Sequence, residues 1–327
     1  MKAKIMVPAV LAATLAAAGS AGAQERVDQR RSTGPTGVVE IHNVAGSVRV
    51  VGWSRNEVHV TGELGRGTER LDLVPEGDRL VVRVVLPRRG SSRGSDIEVR
   101  VPARKTVRIH TVSADVEARD LAGDVEARAV SGDVVARGRL REVFVQSRSG
   151  DATFDGQAER VHAESVSGDV SVAGTVRDQV EATSVSGNVG VTASTGEVRV
   201  NSVSGGVEVG SMRGRAEVST VSGDLRLSGR QIEGSFQTVS GNVFVSGDLA
   251  RDGTTTIESH SGTVDVRLAP PLSVTGDVTT FSGTITNDLP GARITRQSRR
   301  EQRFTVGRGE ARLSIRTFSG DVKLGSR

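Results

Sequence analysis

Three aspartates, Asp133, Asp151 and Asp169, follow one another at intervals of eighteen residues, each directly after a Ser-Gly pair. Stacked at that interval they would form a column of carboxylates about 4.8 Å apart. Two kinds of chemistry use such a column. Paired carboxylates, for example Asp151 and Asp169, can serve as acid and base at a glycosidic bond. A longer row, extended by Asp115, can hold calcium, since like charges so close repel unless screened or bridged by a cation. Both readings meet obstacles. Asn188, Gly206, Asn242, Thr263 and Thr284 interrupt the row. Calcium takes about six to eight oxygens, more than one carboxylate per interval supplies. The glycine-rich nonapeptide of calcium-binding repeats is absent. A structural explanation is therefore preferred. Gly turns a corner with φ > 0, while Ser and Asp bond neighbouring backbone N–H groups.

Other reactive groups are sparse. His42, His59, His110, His162 and His260 lie at no metal-ligand spacing from one another. The absence of Cys excludes disulfides, thiolate metal sites and a cysteine nucleophile. No Gly-x-Ser-x-Gly elbow, P-loop or His-Glu-x-x-His is present. Because every interval resembles the next, none stands out for catalysis. The expectation is a protein that is not an enzyme and takes no cofactor or resident metal. The alternative is a polysaccharide-active β-helix enzyme, a lyase or glycosidase, which a groove of carboxylates on one face would favour.

Composition narrows the fold. The 327 residues include 40 Gly but only 7 Phe, 1 Trp and no Tyr. Rings supply much of the buried area of an ordinary globular core. A different source of burial is needed here. The chain carries 43 basic and 39 acidic residues, a balance that does not suggest nucleic acid binding. One cluster, Arg293, Arg296, Arg299, Arg300 and Arg303, reads as a solvated loop rather than a polyanion site.

The elements that would position these residues repeat. Ser-Gly recurs at Gly132, Gly150, Gly168, Gly187, Gly205, Gly223, Gly241, Gly262, Gly283 and Gly320, first at steps of 18 or 19, then 21, 21 and 37. So regular a period means a solenoid. After each Ser-Gly, apolar residues alternate with polar ones, as in Val170/Val172, Val189/Val191 and Leu225/Leu227. The reading is all-β: a β-solenoid of about 18 residues per coil, whose like aliphatic side chains stack into ladders. Two rows flank each corner. One is Ser or Thr, including Ser165, Ser184, Ser202, Thr220 and Thr238. The next is Val166, Val185, Val203, Val221, Val239, His260, Phe281 and Phe318, with Val112 and Val130 before them and Arg148 breaking the row. Strict alternation would expose the Val/Phe row as an interaction stripe. A twisted corner would fold it into the core, and this is preferred because a long exposed stripe invites aggregation.

Residues 1–23 read as a signal peptide: Lys2 and Lys4, an apolar run, then Ala21-Gly22-Ala23. That predicts export to the periplasm, outer surface or medium, with no transmembrane segment. Residues 24–36 read as a flexible lead and 37–105 as an N-terminal β cap, with Pro87–Gly94 a basic loop. The solenoid occupies 106–327, with an insertion or hairpin near 288–310. The final coil, Phe318 to Leu324, lies close to the end of the sequence. Its edge is expected to be uncovered, with end-to-end or edge self-association as the consequence.

Ile41–Val50, Asp96–Pro102 and the Ser-Gly-Asp-Val series together resemble the bacterial putative-adhesin β-strand-repeat family, a domain of unknown function. The likeness spans roughly residues 37–327. It implies an extracytoplasmic β-solenoid, adhesin-like, binding an unknown envelope polymer or protein, and it carries no catalytic residues.

Overall fold

The computed structural model describes residues 25–88, 93–194 and 196–327. The signal-peptide reading and part of the basic loop at Pro87–Gly94 fall outside them. Among the described residues every regular element is a β-strand.

The eighteen-residue period becomes a parallel register. Val143 pairs beside Val161, Phe144 beside His162 and Val145 beside Ala163. One coil later, where a residue is added, Val161 stands beside Val180. The other wall repeats this: Ala152, Val170, Val189, Val207, Leu225, Val243 and Val264 form one continuous row. All are buried. Small β-branched residues suffice because each packs on its own copy one strand spacing away. Rings enter the core only where the cross-section needs volume, at Phe154, Phe236 and Phe304.

The corners demand glycine for two reasons. At Gly174, φ is +112°, and a Cβ there would fall on the carbonyl oxygen of Gly156 in the coil below. At Gly168 the backbone is ordinary, but a Cβ would strike the carbonyl of Gly150. Coils are stacked so closely at these points that no side chain fits.

Rung order departs from chain order at both ends. Val38–Trp53 is the first long strand, yet it lies between Thr106–Leu121 on one side and Arg79–Val85 with Ser95–Pro102 on the other. Antiparallel strands cover that outer rung: Arg70–Glu76 pairs with Arg79–Val85, and Glu57–Leu64 with Ser95–Pro102. Glu25–Ser32 then adds to Glu57–Leu64. The stretch expected as a flexible lead is thus a strand for most of its length. It is held by Arg26–Glu63 at 3.2 Å and His59–Asp28 at 2.9 Å.

At the other end, Ala311–Ser319 is inserted between Thr254–Ser261 and Val274–Ser282. Val322–Ser326 slots likewise between Val264–Leu268 and Ile285–Asn287. The hairpin Arg293–Gln297/Glu301–Val306 pairs antiparallel with Val274–Ser282 and covers the end of that wall. The expected open edge at Phe318–Leu324 is therefore wrong. That segment is an interior rung with partners on both sides, and the step of 37 holds the hairpin that makes the insertion possible. The outermost strands carry Arg26, Arg30 and Arg31 at one end and Arg293 and Arg296 at the other, charges that disfavour edge pairing.

Candidate binding face

The aspartate column forms, and its bonding explains its composition. The Oδ1 of Asp133 accepts the backbone N–H of Asp151 at 2.9 Å, and Asp151 accepts that of Asp169 at 2.8 Å. Asp169 accepts from Asn188, Asn188 from Gly206, Asp224 from Asn242, and Asn242 from Thr263. Asp115 opens the series by accepting from Asp133. Asp321 accepts from Thr284, a contact made possible by the inserted rung. Either an amide or a carboxylate oxygen can be aimed at the next coil, so Asp and Asn serve alike, and the series is interrupted at Gly206 and Thr263, which carry neither. The amide N–H of Asn242 beside Asp224, and the Thr284 hydroxyl beside Asp321, hold those two carboxyls below the usual range. No group of three or more potential metal-ligating side chains occurs among the described residues.

The histidines take separate roles. His42 stacks on His110 with centroids 5.3 Å apart and bonds Glu40 at 2.7 Å. Burial first, then the neighbouring His42, lowers the His110 pKa. His162 stacks on Phe144 at 4.8 Å and its Nδ1 lies 3.2 Å from Glu181. A cleft of about 630 Å³ beside Pro270 and Pro271 contains two carboxylates, Asp248 and Glu310. Asp248 accepts the Gln231 N–H and Glu310 pairs with Arg251 at 3.4 Å, so each already has a partner.

The corner rows settle in the order opposite to the preferred expectation. The Ser/Thr row is buried and the Val/Phe row is exposed. Alternation simply continues to the turn. In the earlier coils the inward hydroxyl explains why: Ser165 Oγ donates to the Gly150 carbonyl and accepts the Gly168 N–H. Ser147 does the same one coil below. From Gly205 onward the corner changes. Gly205, Gly223, Gly241 and Gly262 take positive φ. Their N–H groups donate to the serine carbonyl of the next rung, as Gly223 does to Ser240. The hydroxyls of Ser202, Thr220, Thr238 and Ser259 are left buried without a partner.

Beyond this hydroxyl row runs one narrow apolar stripe. Val44 joins it, because Asn43 pairs with Thr111 and Ala45 with Ser113, which sets Val44 beside Val112. The stripe passes Val130, is broken by Arg148, and continues through Val166, Val185, Val203, Val221 and Val239. Val203 is 48% exposed and Val239 50%. Its far end is a ring ladder in an order the sequence does not display: His260, Phe318, then Phe281, each pair stacked at 4.8 Å. Arg300 caps it 5.0 Å above Phe281. Over its middle the stripe is framed by uncharged groups, Asn201, Ser219 and Gln237 on one side and Ser204, Ser222 and Ser240 on the other. The sequence pattern missed Val44, which precedes the regular period, and Arg300, which belongs to the capping hairpin.

Solved structures match across almost the whole chain at low identity. A putative adhesin from Bacteroides fragilis is 10% identical over 92% of this chain and 98% of its own, with a TM-score of 0.35. One from Parabacteroides merdae is 8% identical over 93% and 96%, with a TM-score of 0.37. A putative lipid binding protein from Parabacteroides distasonis is 8% identical over 92% and 96%, with a TM-score of 0.27. No curated protein matches the chain. The Toastrack DUF4097 model matches residues 90–251 and 215–325, which together take in the solenoid and its inserted rung. That span is most of the chain, and the protein belongs to the Toastrack DUF4097 family.

Proposed function

We propose that this protein is an exported, adhesin-like binding rod of the cell envelope that contacts its partner along the Val/Phe stripe and performs no catalysis. The observation that carries the reading is the stripe itself: a row of exposed valines, broken once by Arg148 and ending in the His260, Phe318 and Phe281 rings, along the stacked coils. Contiguous apolar surface on a soluble protein marks a contact site. Here it costs the scaffold nothing in packing, because the core rows lie elsewhere. Export follows from the signal pattern of residues 1–23. Freedom from catalysis is supported by the aspartates, each of which has one carboxylate oxygen committed to a backbone N–H of the next coil.

Replacing Val203, Val221 and Val239 together by Asn tests this. Surface changes of this kind alter stability by roughly 0.5 kcal/mol or less each. The variant should melt close to the parent. Its retention on envelope fractions, both glycan and protein, should fall by about tenfold or more, some 1.4 kcal/mol. Equal retention of variant and parent would remove the stripe from the binding account.

A further inference from the structure

The C-terminal end of the rod carries a dense positive charge, matched along the chain only by residues 83–108, which also hold eight basic residues against two acidic ones. Residues 293–316 hold eight arginines against two glutamates, a net +6. The whole chain sums to +4, so all other residues together sum to −2. The fold lays most of this charge on the outside of one wall. The capping hairpin contributes Arg293, Arg296 and Arg303, with Arg299 and Arg300 at its tip. The inserted strand Ala311–Ser319 adds Arg312 and Arg316.

Arginine on an edge strand is commonly a guard against edge pairing, and that suffices for Arg293 and Arg296. It does not account for Arg312 and Arg316. Their strand is hydrogen-bonded on both sides, to Thr254–Ser261 and to Val274–Ser282, and has no edge to guard. Nor does it account for Arg303, whose strand lies between Val274–Ser282 and Arg293–Gln297. Local neutralisation is incomplete. Arg303 reaches Asp277 at 3.0 Å, Arg296 reaches Glu301 at 3.2 Å and Arg316 reaches Glu258 at 3.7 Å. Arg293, Arg299 and Arg312 make no ion pair among the described residues, and Arg300 stacks on Phe281.

We infer that this wall is a docking surface for an extended polyanion, an acidic glycan whose carboxylates or phosphates are met by the arginines. Charge complementarity selects the sign of the partner. Guanidinium suits it because the planar fork binds such oxyanions in pairs of hydrogen bonds. A flat β face with cations on successive strands matches a chain of repeated charges better than one small anion. A bilayer is the poorer fit. The adjoining rings of Phe318 and Phe281 are stacked on each other rather than splayed to enter a bilayer. The inference names a partner class for the binding rod proposed above, and rests on that reading. The stripe and the arginine wall are separate surfaces, so their failures are distinguishable.

The test uses the full exported chain, alginate oligosaccharides as polyuronate probe, a neutral glucan, and vesicles of phosphatidylglycerol and phosphatidylcholine. Binding is followed by calorimetry at low and physiological salt. The expected result is binding to polyuronate, weakened by salt, and absent for the neutral glucan. R312Q/R316Q should weaken it about tenfold or more, R312K/R316K less, with unchanged melting in each case. The Val203/Val221/Val239 Asn variant should bind the polyuronate like the parent. Three outcomes would overturn the inference: no polyuronate binding at low salt, binding indifferent to R312Q/R316Q, or arginine-dependent binding to anionic vesicles without binding to the free polymer. If the polyuronate binds and the stripe variant keeps its envelope partners, the arginine wall stands while the stripe reading falls.

Discussion

A chain ending at Glu310 should lose far more than its last rung. In a solenoid whose coils follow chain order, removing the final segment shortens the rod and leaves the remainder intact. Here residues 311–327 fill the space between Thr254–Leu268 and Val274–Asn287. Their removal strips partners from both neighbours. It also takes away Leu313, Ile315, Val322 and Leu324, all buried. At roughly 1.5–3 kcal/mol for each such side chain, the loss is about 6–12 kcal/mol, comparable to the whole stability of a typical domain. Val274–Val306 should then detach and become cleavable by protease. The bared edge of Thr254–Ser261 should recruit other copies. Limited proteolysis and light scattering check both effects. A truncated chain whose residues 274–306 stay protected and whose mass stays that of the parent would contradict the inserted rung.

Gly174→Ala should be a severely damaging change at a corner. Two costs coincide there. A backbone at φ +112° is strained for any L side chain, and the added Cβ would meet the Gly156 carbonyl, which is itself fixed in the next rung. Strain of this kind costs about 1–3 kcal/mol, and forcing atoms into filled space about as much again. A loss of about 3 kcal/mol or more is expected in urea denaturation. Gly77 provides the comparison. It has φ +65° in an open turn with nothing within 4 Å of a would-be Cβ. Gly77→Ala should cost about 1 kcal/mol, the left-handed penalty alone. Equal losses at the two sites would mean that close stacking of the coils is not what requires glycine.

These effects show which parts of the fold were legible from residues alone. The period, the strand alternation and the aliphatic ladders were legible because each rung packs on a copy of itself, so Val161, Val180 and Val198 must recur in step. Rung order at the end was not. Phe318-Ser319-Gly320-Asp321 carries the same motif as Phe281-Ser282-Gly283-Thr284, and a motif that suits every rung does not say which rung it occupies. The aspartates were expected to bond neighbouring backbone N–H groups, but the particular N–H each accepts, one coil on, emerges only when coils are stacked. The stripe was misjudged for a physical reason. Concern over aggregation rested on the length of the stripe and left out its width. The exposed row is one side chain wide, bordered by Asn201, Ser219 and Gln237, and a strip so narrow stays soluble. In the earlier coils the Ser row beneath favours an outward Val row, since Ser165 and Ser147 bridge a carbonyl and an N–H inside the corner, an arrangement that a valine cannot make. At Ser202, Thr220, Thr238 and Ser259 the hydroxyls have no partner, and there the row faces outward through strand alternation alone.

The direction of that corner decides whether a binding stripe exists at all. The chain contains no cysteine, so single cysteines placed at Val203 and at its neighbour Ser202 report it without interference. Under native conditions a thiol reagent should modify Val203→Cys within the time an unfolded control takes. Ser202→Cys should react only as the protein unfolds, since that position is buried. Rapid modification at position 202 with protection at 203 would put the valines in the core and leave the rod without its proposed contact face.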